Sequence, residues 1–146
     1  MKKTRILFVC KHNKFRSKVA EIYFNMINKN KNVIADSAGI IKGNYSRAKE
    51  AATAKEFNID LKGKPKGLSI ELIRKQNMII IVADDVPKNI FDRKEYINFE
   101  TTKIIVWKIP DNPGATSRVK LRKIVEAVIK KVDELNKKLE RKNGTS

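Results

Sequence analysis

The sequence predicts an α/β protein: a four-stranded parallel sheet in a three-layer, doubly wound arrangement, with helices on both faces. Two observations carry this prediction. Four strand-like runs occur along the chain, and two of them, residues 5–9 and 77–83, lack the polar alternation of a half-exposed strand, which is typical of strands buried on both faces. Segments with helical periodicity separate these runs, and strands that alternate with helices form parallel sheets covered on both sides.

The apolar runs give the positions of the strands. The third run contains three consecutive isoleucines and is the most convincing buried strand of the chain. The fourth run is closed by a proline-rich turn, where a strand cannot continue. The predicted strands cover residues 5–9, 32–39, 77–83 and 103–109.

Helical periodicity predicts four helices, at residues 17–29, 46–58, 68–76 and 117–141. Ser17 and Ser46 are the expected N-caps of the first two, since a serine side chain can accept a hydrogen bond from the first turn. The last helix is amphipathic. Its apolar side carries Val119, Ile124, Val128, Val132, Leu135 and Leu139. We expect one domain over residues 1–141, followed by a polar tail at residues 142–146.

Charge and cysteine content limit the functional classes. The 146 residues include 33 Lys and Arg against 16 Asp and Glu, which gives a formal net charge of +17. Such an excess attracts anions, including phosphates, nucleic acid and acidic proteins. A single cysteine permits no internal disulfide, which fits a reducing cytoplasm. The apolar run before Lys11 is too short for a signal peptide or a membrane-spanning helix, so we expect no membrane partner.

The segment from Cys10 to Ser17 follows the first predicted strand, and ligands of parallel sheets bind beyond the carboxyl ends of strands. Five residues separate Cys10 from Arg16, a spacing that lets a strand-to-helix loop curl around a tetrahedral oxyanion. The N–H groups of the next helix and the guanidinium of Arg16 would bind the same anion. The expected phosphate-binding residues are Lys11, His12, Asn13, Lys14, Phe15, Arg16 and Ser17.

Cys10 is the candidate nucleophile of this loop. The positive field around it favours the thiolate, which is the reactive form. Ser17 is expected to hydrogen-bond the sulfur, and Asn13 to support the loop from a left-handed backbone position. A lone cysteine at a strand end is more often a small buried residue, but Arg16 and Ser17 at these offsets favour the nucleophile. We expect His12, the only histidine, to brace the loop or face solvent rather than to act as a base.

Residues 9–17 resemble the Val-Cys-x-x-Asn-x-x-Arg-Ser loop of the low-molecular-weight protein tyrosine phosphatases, whose superfamily includes thiol-dependent arsenate reductases. Residues 36–40 resemble the family's Ser-Ala-Gly loop, in which Ser37 would support the phosphate-binding loop. Residues 109–114 resemble the segment that carries the family's catalytic acid. These landmarks span nearly the whole chain in the family's order. The resemblance therefore implies the family's fold and a phosphatase that works through a phosphocysteine, without metal or cofactor.

Asp111 is the candidate acid. Cleavage of a phosphate ester by a cysteine needs an acid to protonate the leaving oxygen, and Asp111 follows the fourth predicted strand. An aspartate in such a turn is also an ordinary turn residue. Asn112 stands before Pro113, whereas the family usually places proline directly after the acid. Asp84 and Asp85 are the reserve candidates, although they are also suited to cap the segment that follows them.

The substrate is less well determined by the sequence. Phosphotyrosine-directed members of the family usually carry aromatic residues beyond the acid, whereas residues 114–116 here are Gly-Ala-Thr. Tyr45 and Phe15 are the candidate walls for a ring. The family's His-x-Ala-Arg element, which braces the loop, is missing, and Gly-Lys-Pro-Lys-Gly at residues 63–67 lies roughly in its place. The expected partner is a phosphorylated protein or a small aryl phosphate.

An arsenate reductase is the first alternative. The Cys-x-His-Asn form of the loop, and Trp-x-Ile-Pro-Asp before the acid, look more like arsenate reductases than like typical phosphatases. Thioredoxin-coupled reductases of this fold use further cysteines, and Ala83 stands where one of these thiols would be expected. One cysteine cannot complete an internal disulfide relay. A reductase of this sequence would therefore need an external thiol.

A phosphate-binding or nucleic-acid-binding module without catalysis is the second alternative. The charge of +17 and the lysine-rich last helix favour it. A lysine-rich helix face is usually just solvated, and the sequence contains no nucleic-acid-binding motif. We therefore rank the phosphatase first, the reductase second and the binding module last.

Overall fold

Four parallel strands form the centre of the computed structural model, which describes residues 3–44, 46–98, 101–111 and 117–143. They lie in the order β2-β1-β3-β4, so β2 and β4 are the edges of the sheet. Every neighbouring pair is parallel. The predicted fold class is confirmed. The strands are β1 (Thr4–Cys10), β2 (Val33–Gly39), β3 (Met78–Val82) and β4 (Lys103–Trp107).

Helices cover both faces of this sheet. Because alternate residues of β1 point to opposite sides, Phe8 packs with the helices of one face, whereas Leu7 packs with those of the other. Both residues are fully buried. This two-sided burial explains why the strand sequences show no polar alternation. The helices are α1 (Arg16–Ile27), α2 (Ala48–Lys55), α3 (Ile70–Arg74) and α4 (Arg118–Asn143), with a short 3₁₀ helix at Lys88–Phe91.

Neither serine predicted as a helix cap has that role. The N-cap of α1 is Phe15, no side chain caps this helix, and Ser17 lies inside its first turn. The N-cap of α2 is Arg47, and the Ser46 hydroxyl donates instead to the carbonyl of Lys14. Both serines contact the loop between β1 and α1 or the residues beside it. The first-turn pattern was read correctly as a helix start, but its serines bind other partners.

The last helix extends past the predicted boundary. α4 runs to Asn143, whereas the sequence predicted a helix end at residue 141 and a polar tail from residue 142. Residues 144–146 lie outside the described residues, and the division into a domain and a tail stays a prediction. Among the helices described, none is both long and apolar enough to cross a membrane.

Candidate active site

The loop between β1 and α1 is held against the segment that follows β2. Cys10 is the last residue of β1, and Arg16 is the first residue of α1. The Ile40 N–H donates to the Cys10 carbonyl at 3.1 Å, and the Ile41 N–H donates to the Lys11 carbonyl at 2.9 Å. The loop thus begins as a continuation of the β1–β2 pairing, which fixes the direction in which Cys10 leaves the strand.

Gly39 allows the loop to lie directly on this segment. A Cβ atom at Gly39 would lie 2.6 Å from the carbonyl carbon of His12 and 2.8 Å from the backbone nitrogen of Asn13. Both neighbours are backbone atoms, which cannot rotate away as a side chain can. The His12 carbonyl also accepts a hydrogen bond from the Gly43 N–H at 3.2 Å. His12 therefore braces the loop through its backbone.

We expect Gly39→Ala to destabilise the protein, because the added methyl group overlaps the backbone of His12 and Asn13. Overpacking of this kind costs about 1–3 kcal/mol, which urea unfolding would measure as a lower midpoint. Gly67→Ala is the matched control, since a Cβ atom there would meet Lys42 Cβ at 3.5 Å, an ordinary contact. Equal midpoints for the two variants would contradict the close approach at Gly39.

Asn13 is the centre of the hydrogen-bond network below the loop. It is fully buried and has a left-handed backbone conformation, with φ of 59°. Its Nδ2 atom donates to Ser17 Oγ and to Ser37 Oγ, both at 2.8 Å. Its Oδ1 atom accepts from the Lys66 backbone N–H at 2.8 Å, and its own backbone N–H donates to Cys10 Sγ at 3.3 Å. The structure therefore brings together Asn13, Ser17 and Ser37, the three residues predicted to support the loop.

Two donors face the sulfur of Cys10. The Ser17 hydroxyl lies 3.0 Å from Sγ, and the Asn13 N–H lies 3.3 Å from it. When Cys10 is a thiolate it has no proton to donate, so the Ser17 hydroxyl, which also accepts from Asn13 Nδ2, is then the donor to the sulfur. Hydrogen bonds to an ionised acceptor are stronger than those between neutral groups. The network is thus arranged to accept negative charge on Cys10.

A backbone peptide group in residues 63–67 braces Asn13. The Lys66 N–H donates to Asn13 Oδ1, and the Lys66 carbonyl accepts from the Gly39 N–H at 2.7 Å. The Leu68 N–H in turn donates to the Gly39 carbonyl at 2.9 Å. The Gly-Lys-Pro-Lys-Gly segment thus pairs with the end of β2 and places a backbone donor at Asn13.

Lys18 fixes the start of this segment. The sequence assigned Lys18 only a contribution to the positive potential, but its side chain is almost fully buried. Its Nζ atom donates to the carbonyls of Lys62 and Gly63, at 2.7 and 2.9 Å. Burial lowers the pKa of Lys18, and the nearby carboxylate of Glu21 opposes that change.

Glu21 is a member of the network that the sequence did not identify. Ser37 Oγ accepts from Asn13 and donates to Glu21 Oε1. Burial raises the pKa of Glu21, while the hydrogen bond from Ser37 lowers it in part. Glu21 lies one turn of α1 beyond Ser17, at the spacing that puts two side chains on the same face of a helix. The spacing between Ser17 and Glu21 is the feature of the sequence that could have placed Glu21 near the loop.

The pH dependence of unfolding tests the environment of Glu21. With its pKa raised in the folded state, the folded chain binds more protons than the unfolded chain above the ordinary pKa of 4.5. The free energy of unfolding therefore falls as pH rises from the ordinary pKa of a glutamate through the higher pKa that Glu21 has in the folded state. We expect Glu21→Gln to reduce this fall in urea titrations at a series of pH values, since glutamine still accepts from Ser37. Glu71→Gln, at an exposed position of α3, is the control and should keep the wild-type profile. An unchanged pH profile in Glu21→Gln would contradict the prediction.

Arg16 is buried and is held by acceptors from two other strand ends. Its Nη1 atom donates to the Ile109 carbonyl at 2.9 Å. Its Nη2 atom lies 3.0 Å from Asp85 Oδ1 and 3.6 Å from Asp111 Oδ1, and Nη1 lies 3.8 Å from Asp84 Oδ1. The primary acid candidate and both reserves thus converge on the same guanidinium.

The reserve carboxylates are not caps of the following helix. The 3₁₀ helix after them has Pro87 at its N-cap, whereas Asp84 and Asp85 contact Arg16. The side chain of Asp111 is 46% exposed and that of Asp85 is 30% exposed. Asp111 therefore has the greater access to a leaving group in solvent, while Asp85 makes the shorter ion pair.

A pocket of about 110 Å³ brings together Cys10, Arg16 and Asp111, the candidate nucleophile, the candidate anion ligand and the candidate acid. Phe15 is a buried wall of this pocket, and Lys11 is exposed outside it. Arg47 and the buried Glu50, from the start of α2, were not predicted as site residues, and no local pattern distinguishes them from ordinary helix residues. The residues that line the pocket are Cys10, His12, Lys14, Phe15, Arg16, Arg47, Glu50 and Asp111.

Two segments that bear on the substrate lie outside the described residues. They are Tyr45, a candidate wall for a ring, and residues 112–116, which include Asn112 and Pro113. The predicted consequences of these residues for the acid and for the ring of a substrate therefore stay predictions.

Residues 5–145 match the family model described as low molecular weight phosphotyrosine protein phosphatase. The chain belongs to this family. Among curated proteins, no sequence matches it. The family assignment agrees with the resemblance read from the loop, the Ser-Ala-Gly segment and the acid segment.

Solved structures of this phosphatase family and of arsenate reductases share the fold. The YwlE arginine phosphatase from Geobacillus stearothermophilus is 20% identical, with a TM-score of 0.77 over 95% of this chain and 94% of its own. A low-molecular-weight protein tyrosine phosphatase from T. tengcongensis is 23% identical, with a TM-score of 0.73 over 93% and 99%. An arsenate reductase from Archaeoglobus fulgidus is 22% identical, with a TM-score of 0.67 over 90% and 98%. At these identities the likeness establishes the fold and leaves the specific activity open.

Proposed function

We propose that this family member is a cysteine-dependent phosphatase that hydrolyses phosphotyrosine or other aryl phosphate monoesters through a phosphocysteine intermediate. One observation carries the proposal: Cys10, Arg16 and Asp111 border a single small pocket, and Ser17 and Asn13 hydrogen-bond the Cys10 sulfur. A nucleophile, an anion clamp and a proton donor are the three groups that a two-step phosphoryl transfer requires.

In the first step the phosphate group binds to the N–H groups of the loop and to the guanidinium of Arg16. The Cys10 thiolate attacks phosphorus, and the bond between phosphorus and the ester oxygen breaks. Asp111 donates a proton to that oxygen, so that a neutral phenol leaves. The phosphoryl group keeps its own charge, and the negative charge that was on sulfur ends on the Asp111 carboxylate.

In the second step water attacks the phosphocysteine. Asp111, now a carboxylate, accepts a proton from this water, and the bond between phosphorus and sulfur breaks. The sulfur leaves as a thiolate, which accepts hydrogen bonds from Ser17 and Asn13. Inorganic phosphate is released, and Asp111 is protonated again for the next cycle.

Hydrolysis of p-nitrophenyl phosphate by the purified protein tests this proposal directly. We expect turnover without added metal, and competitive inhibition by phosphate and by vanadate. Phosphotyrosine and phosphoarginine should be compared with it, because one structure of the same fold is named an arginine phosphatase. Absence of phosphate release from both p-nitrophenyl phosphate and phosphotyrosine would overturn the proposal, and release from phosphoarginine alone would assign the activity to a phosphorus–nitrogen bond instead.

The acid assignment makes a prediction about leaving groups. We expect Asp111→Asn to lower kcat/KM with phosphotyrosine by about 10²–10⁴-fold, and to lower it much less with p-nitrophenyl phosphate. The reason is that p-nitrophenolate leaves without a proton, whereas the phenolate of tyrosine does not. Measurement of kcat/KM for both substrates checks this, because this ratio reports the first step and not the hydrolysis of the phosphocysteine, which is common to both.

Asp85→Asn is the matched control for Asp111→Asn, since Asp85 also contacts Arg16. If Asp85 only positions that guanidinium, Asp85→Asn should lower the rate by the same factor for both leaving groups. A dependence on the leaving group in Asp85→Asn, and none in Asp111→Asn, would transfer the role of acid to Asp85.

An arsenate reductase that uses an external thiol is the second candidate, because solved arsenate reductases share this fold and Cys10 is the only cysteine. Cys10 would attack arsenate and form a sulfur–arsenic bond with loss of water. An external thiol would then attack the sulfur, giving a mixed disulfide and releasing arsenite, and a second thiol would restore Cys10. Consumption of arsenate only when glutathione is supplied would support this activity. If arsenate is not consumed even with glutathione, the phosphatase is the better assignment.

A further inference from the structure

A second cavity lies along β4, in the angle between this edge strand and α4. It measures about 500 Å³, several times the volume of the pocket at Cys10. Its floor is apolar and joins three elements. The apolar lining residues are Met78, Ile105, Trp107, Leu135 and Leu139. Ile105 and Leu139 are only partly buried, so the described structure leaves apolar surface in this groove.

The rim of the groove is strongly basic. Most of its cations come from one face of α4, at spacings of three, four and seven residues, and one comes from the start of β4. Glu134 is the only acidic residue among the described lining residues. The basic lining residues are Lys103, Lys131, Lys138, Arg141 and Lys142. A ligand that fits this groove therefore combines apolar groups with negative charge.

The backbone of β4 adds a third property. The Lys103 N–H donates to the Asn77 carbonyl, and the Trp107 carbonyl accepts from the Ala83 N–H, each at 3.0 Å, so these residues pair with the β3 side. In a strand the direction of the backbone groups alternates. The N–H and carbonyl groups of Ile104 and Val106 therefore point away from β3, to the edge of the sheet.

We propose that this groove binds an extended acidic segment of a partner protein, which pairs with β4 and places apolar side chains between β4 and α4. Addition of a strand to a sheet edge is a common mode of peptide recognition. The apolar floor favours apolar side chains, the basic rim favours acidic ones, and the edge of β4 favours peptide groups.

Other occupants satisfy fewer of these features. A fatty acid or a lipid has no backbone to pair with Ile104 and Val106. A second copy of this chain brings a net charge of +17 to a basic groove, which opposes association. Lysine residues at the ends of β4, Lys103 and Lys108, also discourage pairing with uncharged strands. They leave acidic strands as the favoured partners.

The probe is a designed peptide, acetyl-Glu-Glu-Val-Ile-Val-Glu-Glu-amide, labelled with fluorescein for anisotropy. Its apolar centre of three residues fits within the four residues between Lys103 and Lys108, and its charged ends are complementary to the rim. We expect saturable binding that weakens as salt is raised. Trp107 is the only tryptophan and lines the groove, so the unlabelled peptide should change its emission.

Two control peptides separate the features. The same sequence with lysine for every glutamate should not bind, because it keeps the apolar centre and reverses the charge. The same sequence with proline for the central isoleucine removes a backbone donor at that position. We expect this change to weaken binding at least about fivefold, a loss of the size of one hydrogen bond.

Charge reversal in the protein locates the site. The double variant Lys138→Glu, Lys142→Glu should raise the Kd for the acidic peptide at least about tenfold. The control is Lys130→Glu, Lys137→Glu, which makes the same charge change at exposed positions of α4 outside the groove. It should raise the Kd much less, and both double variants should hydrolyse p-nitrophenyl phosphate like the wild type if that activity is present.

Three outcomes would overturn the proposal. The first is no binding of the acidic peptide by wild-type protein. The second is equal weakening in the two double variants, which would indicate attraction to the net charge rather than to the groove. The third is binding without any change in Trp107 emission and without sensitivity to proline. Tighter binding of oleate than of the peptide, lost in Lys138→Glu, Lys142→Glu, would assign the groove to an anionic lipid instead.

Discussion

Cys10→Ser is expected to abolish the hydrolysis of aryl phosphates, with kcat lower by about 10⁴-fold or more. Serine preserves the shape of the site, and its hydroxyl can still receive hydrogen bonds from Ser17 and the Asn13 N–H. A hydroxyl stays protonated at neutral pH, because it is a much weaker acid than a thiol, and it is therefore a far weaker nucleophile. The phosphocysteine therefore cannot form.

Phosphate binding separates this loss of chemistry from a loss of structure. The variant should still bind inorganic phosphate, because the loop N–H groups and Arg16 are unchanged. Calorimetric titration with phosphate and urea unfolding would measure these two properties. Turnover that survives in Cys10→Ser at the wild-type level would remove Cys10 from the mechanism, and would favour a role as a small buried residue.

Arg16→Lys is expected to lower kcat/KM for p-nitrophenyl phosphate by about 10²–10³-fold, the usual cost of losing a donor to a developing oxyanion. Lysine keeps the positive charge but lacks the planar fork that contacts two phosphate oxygens at once. It also cannot hold the Ile109 carbonyl and Asp85 together, as the guanidinium does at 2.9 and 3.0 Å. Steady-state kinetics and phosphate affinity would both record the loss.

Arg118→Lys is the matched control for Arg16→Lys. Arg118 is largely exposed and pairs with Glu56 on the surface, so the same chemical change there should leave kcat/KM unchanged. Equal kinetics for wild type and Arg16→Lys would show that a point charge suffices, and would remove the bidentate clamp from the proposed mechanism.

The sheet and the loop were readable from the sequence because their determinants are local. The isoleucine run of β3 is buried on both faces, and its lack of alternation records that burial directly. The spacing between Cys10 and Arg16 likewise defines one loop between one strand and one helix. Such patterns depend on residues that are neighbours in the chain, and they can therefore be recognised without knowledge of the fold.

The contacts that the sequence did not predict join residues far apart in the chain. Asp85 follows β3 and pairs with Arg16 beyond the neighbouring strand β1, and nothing near Asp85 in the chain distinguishes that role from a helix cap. The sequence predicts two roles for Ser17, as the cap of α1 and as a hydrogen-bond partner of the Cys10 sulfur. Only the contact between Asn13 and Ser17, which the fold creates, favours the second role. Glu21 required knowledge that β2 places Ser37 beside α1.

The backbone brace at Lys66 has a consequence for mutational tolerance. Its contact with Asn13 uses a main-chain N–H, which every residue except proline carries. The side chain at this position can therefore be exchanged without removing the brace, whereas a histidine brace would be lost with almost any substitution. The Lys66 side chain pairs with Asp36 at the surface, so a change of charge at position 66 removes this ion pair and leaves the main-chain contact to Asn13 in place. Substitutions at position 66 can thus change the electrostatic potential around the pocket while the hydrogen bond to Asn13 is kept.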